Sequence, residues 1–360
     1  MYAYCERPKA QSLDREDMEK QALGERKKGR WQVWVAAAMS LGCLILALRD
    51  VNLGEAWAAF AHVSGWWLLL ALGSVGVTLV SKAARWRVLF VLQRAPSLRR
   101  SLSAQSIGML VNAVVPARLG ELARAYLIGE AEAESKAYAL GTIALEKVTD
   151  LFFMSLSLLV LLAFMPLPVW LPARQTALVV GTALVVILIV DRQNELILRS
   201  VRWLSRLAPA RARDWLARQA ELGLASLQVL RRPRVLAGLL GWSIFVWVIS
   251  SLTNWLVWKA MGLTLPLWAA LLLVVVLQAG VVVPASPGRI GVFQYLTILC
   301  LSLFTVKKEI AFDYSVLLHL ITYGPVVGLG AYYLWREKIT WQKLEEAARR
   351  IERRLLGSAA

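Results

Sequence analysis

Apolar residues in this 360-residue chain form long blocks that are separated by polar and basic stretches. A helix needs about 20 predominantly apolar residues to cross a bilayer, and six blocks approach or reach that length. The six blocks lie at about residues 31–49, 66–83, 140–165, 174–191, 235–258 and 315–335. The pattern therefore predicts an all-α membrane protein with six full spans.

The sequence Val-Val-Pro-Ala-x-x-Gly occurs twice, at residues 114–120 and 282–288, and each copy ends a shorter apolar stretch. Proline removes a backbone donor and glycine loosens a helix, so each copy predicts a break in a helix at membrane depth. The residues that we expect at the two breaks are Pro116, Gly120, Pro284, Pro287 and Gly291.

Each broken segment consists of an apolar arm and a more polar return. The first arm covers residues 103–117 with a return at 118–133, and the second covers 266–283 with a return at about 290–304. We interpret both as re-entrant hairpins that are shielded from lipid by neighbouring helices. The alternative is that both hairpins are full spans, which gives eight spans in total.

Basic residues predict the orientation of the spans, because cytoplasmic loops of membrane proteins carry an excess of lysine and arginine. Segments 82–100 (which includes Arg85) and 191–234 are strongly basic, as is the tail from Arg336, whereas 50–65 has no lysine or arginine. We therefore expect both termini to be cytoplasmic and the protein to lie in the cell (inner) membrane.

The order of elements predicts two halves with opposite orientation. Residues 31–165 and 174–335 each read span, span, hairpin, span, but they start from opposite sides, as in the inverted repeats of many transporters. The two hairpins should then enter from opposite faces and meet near the midplane. We interpret residues 1–30 as a basic cytoplasmic segment and 336–360 as an amphipathic cytoplasmic tail.

Composition supports the membrane interpretation, because 58% of the residues are hydrophobic and only 18% are charged. The net charge of +17 lies between the apolar blocks, so we expect anionic lipid headgroups as partners and no nucleic acid. The cysteines and histidines form no pattern that is typical of metal ligands or disulfides. We expect neither a metal nor a cofactor.

Charged side chains at membrane depth are costly, so they are candidates for function. The first hairpin carries Arg118, Glu121 and Arg124. Arg118 and Glu121 are three positions apart on the predicted helix and could form an ion pair. Asn112 is a polar residue in the apolar arm, and its side chain could bind a substrate or a neighbouring helix.

The span at 140–165 carries Glu146, Lys147 and Asp150 near its beginning. Glu146 and Asp150 are four residues apart, so two carboxylates share one face of the helix. They need a cation between them, and we expect Arg118 or Arg124 to supply it.

These charges have three interpretations. In the first, Arg118, Arg124 and Lys147 bind a lipid phosphate, and the two carboxylates orient the cations or carry a proton. In the second, the charges form an ion-pair network that fixes the hairpin and binds nothing. In the third, Glu146 and Lys147 are simply solvated at the headgroup level.

The second half has fewer charges. Gly288 and Gly291 allow a close backbone approach, so their amides could face an anion, and Arg289 is the charge beside them. The alternative is a tight packing turn from which Arg289 extends towards the membrane interface.

Three motifs resemble the lysylphosphatidylglycerol synthase transmembrane-region family of flippase-like membrane proteins. Residues 112–124 (Asn-Ala-Val-Val-Pro-Ala-Arg-Leu-Gly-Glu-Leu-Ala-Arg) carry the longest similarity, and residues 146–150 resemble the acidic-basic-x-x-Asp element of the family. Residues 287–294 are similar to its Pro-Gly-Gly-x-Gly-x-x-Glu element, with Arg289 replacing a glycine and Gln294 replacing the acid. The resemblance covers roughly residues 31–335, and it implies that Gln294 lies at the substrate site.

Some members of this family fuse the membrane region to a soluble aminoacyl-transferase domain. About 25 residues follow the last predicted span here, so we expect the flippase part without that domain and without enzymatic activity. The resemblance implies a translocator for an anionic lipid, either a phospholipid or a polyprenyl-phosphate-linked lipid. One alternative is a subunit that presents a lipid to a separate glycosyl- or aminoacyl-transferase. Another is a membrane-embedded enzyme that uses Glu146 and Asp150.

Overall fold

The computed structural model describes residue 35 and residues 37–49, 63–91, 95–114, 119–131, 136–161, 232–282 and 286–339. All regular elements in these ranges are helical, which confirms the all-α prediction for this part of the chain. The α-helices are α1 (Ala37–Leu48), α2 (Gly65–Val88), α3 (Leu98–Val114), α4 (Gly120–Ala131), α5 (Lys136–Leu161), α6 (Pro233–Ala260), α7 (Leu267–Ala279), α8 (Val292–Ser302) and α9 (Lys308–Arg336).

Three of the described helices are long and apolar enough to cross a membrane. They are α2, α6 and α9, with 24, 28 and 29 residues, and they contain the predicted spans 66–83, 235–258 and 315–335. Helices α1 and α7 are apolar but shorter. The predicted span at 174–191 lies outside the described residues, and the total of six or eight spans stays a prediction.

Helix α5 contains most of the span predicted at 140–165, but it begins earlier, at Lys136. Glu146, Lys147 and Asp150 therefore lie in its third and fourth turns and not near its first residue. They are within the helix bundle, where the neighbouring helices decide whether each charge is buried.

Apolar side chains point outward from the three long helices. Leu69 on α2, Ile244 and Val248 on α6, and Leu320 on α9 are each more than half exposed. A continuous apolar surface of this kind is unfavourable in water but suits the hydrocarbon core of a bilayer. The outward surface therefore indicates an integral membrane protein.

Helices α2 and α6 pair in antiparallel orientation. At one end, the backbone N–H of Ser64 donates to the carbonyl oxygen of Ala260 at 2.9 Å. Further along, the hydroxyl oxygens of Ser74 and Thr253 are 2.8 Å apart. Because each hydroxyl is buried, this bond satisfies two polar groups that would otherwise face apolar neighbours.

The first predicted hairpin is formed by α3 and α4. Helix α3 ends at Val114 and α4 begins at Gly120, so the break falls within the repeated sequence, although Pro116 and Arg118 themselves lie outside the described residues. The two helices touch through glycines. A Cβ on Gly120 would overlap the carbonyl oxygen of Gly108, and a Cβ on Gly108 would lie 2.7 Å from that of Gly120.

The second predicted hairpin is formed by α7 and α8, with two 3-10 turns between them, Gly280–Val282 and Pro287–Arg289. Pro284 lies outside the described residues. Gly288 and Gly291 have φ angles of 69° and 90°, in a region that residues other than glycine rarely adopt. The predicted break in the second half is therefore a turn that requires glycine at these two positions.

The two hairpins touch each other at their breaks. A Cβ on Gly288, in the second hairpin, would lie 4.0 Å from the carbonyl oxygen of Ala113 near the end of α3. Helix α1 covers the same turn, because the hydroxyl of Ser40 accepts a hydrogen bond from the backbone N–H of Ser286 at 2.6 Å. A Cβ on Gly291 would overlap the carbonyl oxygen of Ser40. The inverted-repeat prediction expects the two hairpins to meet, as they do at Gly288 and Ala113. The repeat itself stays a prediction.

Candidate functional site

Four charged side chains from three helices form a buried ion network. Arg85 of α2 bridges both carboxylates of α5, with Nη2 2.9 Å from Oε1 of Glu146 and Nη1 2.6 Å from Oδ1 of Asp150. Arg124 of α4 donates through Nη2 to Oε2 of Glu146 at 2.9 Å. The side chains of Arg85, Glu146 and Arg124 are 1%, 6% and 7% exposed, so bulk water does not solvate these charges.

The pairing explains why two carboxylates can be ionised one turn apart inside the bundle. Each carboxylate oxygen of Glu146 accepts a hydrogen bond from a different guanidinium group, and Asp150 accepts one from Arg85 as well. Charge-assisted bonds of this length are among the strongest that proteins make, but they mainly offset the cost of removing the ions from water. The network therefore fixes the relative positions of α2, α4 and α5 more than it adds net stability.

Arg124 is held from two further directions. Its guanidinium lies over the indole ring of Trp86, 4.2 Å from the ring centroid, and the indole N–H of Trp86 donates to the hydroxyl of Thr142 at 3.0 Å. Gly108 of α3 leaves room for the stem of Arg124, because a Cβ there would lie 2.9 Å from its Cδ. These contacts give the side chain one defined position.

The outer part of the network is more accessible. Lys147 is 53% exposed, and its Nζ lies 3.3 Å from Oε1 of Glu121. Lys82 is half-buried on α2 and interacts electrostatically with Asp150, but among the described carboxylates none lies within ion-pair distance of it. Among the described residues, the network and its outer part contain four cations and three carboxylates, so this cluster carries a surplus of positive charge. The cations are Arg85, Arg124, Lys82 and Lys147, and the carboxylates are Glu121, Glu146 and Asp150.

Asn112 joins the end of α3 to the start of α4. Its Oδ1 accepts a hydrogen bond from the backbone N–H of Gly120 at 2.8 Å, and its Nδ2 donates to Oε2 of Glu121 at 3.2 Å. The first N–H groups of a helix have no partner within the helix, so a side chain that accepts from one of them acts as a cap. Asn112 therefore stabilises the hairpin and also positions Glu121.

We expect the substitution Asn112→Ala to destabilise the protein by about 0.5–2 kcal/mol, the usual effect of removing a helix cap. Thermal unfolding in detergent measures the change. Ser302→Ala is a matched control, because this exposed hydroxyl bonds only to a carbonyl of its own helix, and we expect it to change stability by less than about 0.5 kcal/mol. Equal effects of the two substitutions would contradict the capping role.

Most of the first-half residues that the sequence singled out come together in this site. They are Asn112, Gly120, Glu121, Arg124, Glu146, Lys147 and Asp150. Arg118 lies outside the described residues. The burial of Glu146 excludes the interpretation in which it is simply solvated at the headgroup level, whereas Lys147 remains half exposed.

Arg85 was not predicted as a site residue, because its segment was assigned to a basic cytoplasmic region. Helix α2 continues to Val88, beyond the predicted end of the span, and Arg85 points into the bundle between the two carboxylates. The spacing of Ser74, Ser81 and Arg85 is the signal that was available, because positions seven and four residues apart lie on one helix face. All three side chains are buried, so a polar stripe inside an apolar helix indicated its inward face.

The second-half residues form a separate arrangement. Oε1 of Gln294 accepts a hydrogen bond from the backbone N–H of Gly291 at 2.7 Å, and its Nε2 lies 3.1 Å from Nδ1 of His319. The backbone N–H of Gly291, which we predicted to face an anion, therefore already donates to Gln294. A glutamate at position 294 could accept the same bond, so the glutamine keeps this contact with the turn.

Arg289 lies in the turn before α8 with a φ of 57°, and its backbone N–H donates to the carbonyl oxygen of Ser286 at 2.9 Å. Its side chain interacts electrostatically with Tyr323 of α9. Within the described ranges, no ion pair or hydrogen bond joins Arg289 to the first-half network. Among the described residues, the two hairpins therefore approach each other where Gly288 faces the carbonyl oxygen of Ala113, without an ion pair between them.

Long apolar helices with lipid-facing surfaces and an internal ion network define an integral membrane protein. The family model for the lysylphosphatidylglycerol synthase TM region matches residues 33–330, and the chain belongs to this family. It is also similar to the UPF0104 membrane protein MJ1078 of Methanocaldococcus jannaschii. The two are 27% identical over 224 residues, which cover 62% of this chain and 92% of the relative. No solved structure matches the chain significantly.

Proposed function

We propose that this protein moves an anionic lipid headgroup across the cell membrane, and that the first-half ion network is where the headgroup binds. The observation that carries the proposal is the surplus positive charge of the cluster. Four cations face three carboxylates among the described residues, in helices that pack within a membrane protein. An uncompensated cation in such surroundings is costly unless an anion joins it.

The four cations differ in how firmly other side chains hold them, and we infer their roles from this difference. Arg85 and Arg124 are fixed by carboxylates and by Trp86, so they form a rigid base for the site. Lys147 is 53% exposed and Lys82 is partly buried, so both lysines are less enclosed than the arginines, and they lie close enough to interact electrostatically with each other. A lysine ammonium acts as a point charge for phosphate, so this pair is suited to hold a headgroup that must later leave.

The neighbouring face of α3 supports a polar path. Ser101, Gln105 and Ser106 are buried, and their side-chain polar atoms have no hydrogen-bond partner among the described residues. Buried groups of this kind normally bind water or a ligand, because leaving them unpaired is costly. They lie within two helical turns before Gly108, which packs against the stem of Arg124, so polar groups continue along α3 from the network.

A liposome assay tests this function. The purified full chain is reconstituted with fluorescent phosphatidylglycerol or with fluorescent phosphatidylcholine, and a membrane-impermeant quencher reports movement between leaflets. We expect faster movement of the anionic lipid, and we expect Lys82→Gln and Lys147→Gln each to slow it about tenfold, which corresponds to about 1.4 kcal/mol. Arg118→Ala tests the remaining predicted cation in the same way.

Lys136→Gln is the matched control, because this lysine lies at the start of α5 and pairs with Glu130 at a distance from the network. Its rate should equal that of the wild type. Equal rates for both lipids, or unchanged rates in both lysine variants, would contradict the proposed site. No movement by the wild-type protein would contradict the translocator and leave the lipid-presenting subunit as the alternative.

A further inference from the structure

Asp313 on α9 is a buried carboxylate that the ion network does not use. Its exposed fraction is 1%, and neither of its oxygens has a hydrogen-bond partner in the part of the chain that the structure describes. It lies five residues after Lys308, or about 8 Å along a helix that is long enough to cross a membrane. An ionised carboxylate in these surroundings is strongly disfavoured unless a cation accompanies it.

A second carboxylate lies next to Asp313. Glu309 precedes it by one helical turn, shares its face of α9 and acts on it electrostatically. The adjacent Tyr314 donates through its hydroxyl to the carbonyl oxygen of Asn254 at 3.2 Å, which places this level of α9 beside α6. Two acidic groups therefore lie together where the bundle is otherwise mostly apolar.

None of the basic side chains described near this position pairs with Asp313, and Lys307, which directly precedes α9 six residues away, is exposed. Lys308 donates through Nζ to the carbonyl oxygens of Leu46, on α1, and of Arg49, the residue after that helix. Lys259 on α6 lies over the ring of Trp255, 5.4 Å from its centroid. Among the described side chains, none of these cations bonds to Asp313.

The other helices described as packing against α9 bring no cation to Asp313. Helix α8 carries the neutral groups Tyr295 and Cys300. Helix α3 has its arginines at the end that meets the other end of α9, where Ser103 donates to Glu337 at 2.5 Å. Helix α2 is level with Asn254 near Ser74, and its basic residues Lys82 and Arg85 lie eight and eleven residues further, about 12 and 16 Å along the helix.

We propose that Asp313, together with Glu309, binds a small monovalent cation, either H⁺ or Na⁺, and that this binding drives lipid movement. Glu146 and Asp150 are less suited to this role, because both are already paired with arginine. The driving role rests on the proposed function, whereas the cation site itself does not. The two are therefore tested separately.

The binding site is tested by the thermal unfolding of the full-length protein in detergent. A carboxylate that must bind a cation to be buried makes the folded state more stable at lower pH or with sodium. We expect the melting temperature of the wild type in choline chloride to be about 3 °C higher at pH 5.5 than at pH 8, or to rise by about as much at pH 8 when sodium replaces choline. The response to pH identifies H⁺, and the response to sodium identifies Na⁺.

Asp313→Asn should lose this dependence, because the amide needs no cation. Glu309→Gln should weaken it, and this second variant keeps the test valid if the first does not fold. Glu130→Gln, which changes a largely exposed carboxylate on α4, should respond like the wild type. A wild type that responds to neither condition, or an Asp313→Asn variant that responds as fully as the wild type, would overturn the site.

The driving role is tested in liposomes with fluorescent phosphatidylglycerol under an imposed pH or sodium gradient. We expect the gradient to change the wild-type rate about threefold or more, and to leave the rate of Asp313→Asn unchanged. A wild-type rate that ignores both gradients would overturn the driving role. If no lipid moves at all, the proposed function fails, while the unfolding experiment still decides the cation site.

Discussion

Replacing Arg85 with methionine is expected to destabilise the protein by about 3–5 kcal/mol. This guanidinium bridges Glu146 and Asp150, and its side chain is 1% exposed. Without it, Asp150 loses its arginine partner and Glu146 keeps only Arg124. Removing one member of a buried ion pair costs more than the pair contributes, because the remaining charge stays out of water without compensation.

Thermal unfolding and the yield of monodisperse protein in detergent measure this effect. Arg87→Met is the matched control, because it lies on the same helix and its Nε donates only to the carbonyl oxygen of Pro96. Adding Asp150→Asn to Arg85→Met should restore part of the lost stability, since Asp150 is then neutral while Glu146 keeps its ion pair with Arg124. If stability does not recover, the loss is one of packing and not of charge.

The substitution Gly120→Ala should be nearly as disruptive, with a loss of roughly 2–4 kcal/mol. The added Cβ would overlap the carbonyl oxygen of Gly108 and lie 2.6 Å from the amide group of Asn112. Backbone atoms cannot move aside cheaply, so α3 and α4 must separate. Separation also breaks the cap that Asn112 provides, and the loss combines overpacking with removal of a cap.

Gly73→Ala on α2 is the matched control, because a Cβ there meets no atom within 4 Å. Alanine favours a helix more than glycine does, so this variant should be as stable as the wild type or more stable by up to about 1 kcal/mol. Unfolding curves of the two variants compare the positions directly. A Gly120→Ala protein as stable as Gly73→Ala would show that the hairpin does not depend on this glycine contact.

The helices were predictable to a useful degree because their signal is local. Apolar blocks of sufficient length gave α2, α6 and α9, and the repeated Val-Val-Pro-Ala-x-x-Gly marked the ends of both hairpin arms. The boundaries were less predictable. Helix α2 continues to Val88 and α5 starts at Lys136, both beyond the predicted bounds. The hydropathy pattern does not distinguish amphipathic helical turns that pack inside the bundle from polar loops.

The site was predictable only in part. Glu146 and Asp150 stand out because two acids one turn apart need a cation, and the sequence indicated that need correctly. It did not indicate the partner, since Arg85 is 61 residues from Glu146 along the chain. Asp313 was missed for a related reason, because nothing in the local sequence shows that this carboxylate is buried and lacks a hydrogen-bond partner among the described residues.

The sequence by itself determined the class of the protein, because hydrophobic length and helix-breaking residues act locally and leave a direct trace in residue order. It also determined which residue types are costly at membrane depth. Only the tertiary structure decided which charges compensate each other and which remain available. Pairing depends on distances of about 3 Å between helices that are far apart in the chain. Residue order does not specify those distances, because they arise when glycines such as Gly108 and Gly120 allow neighbouring helices to touch.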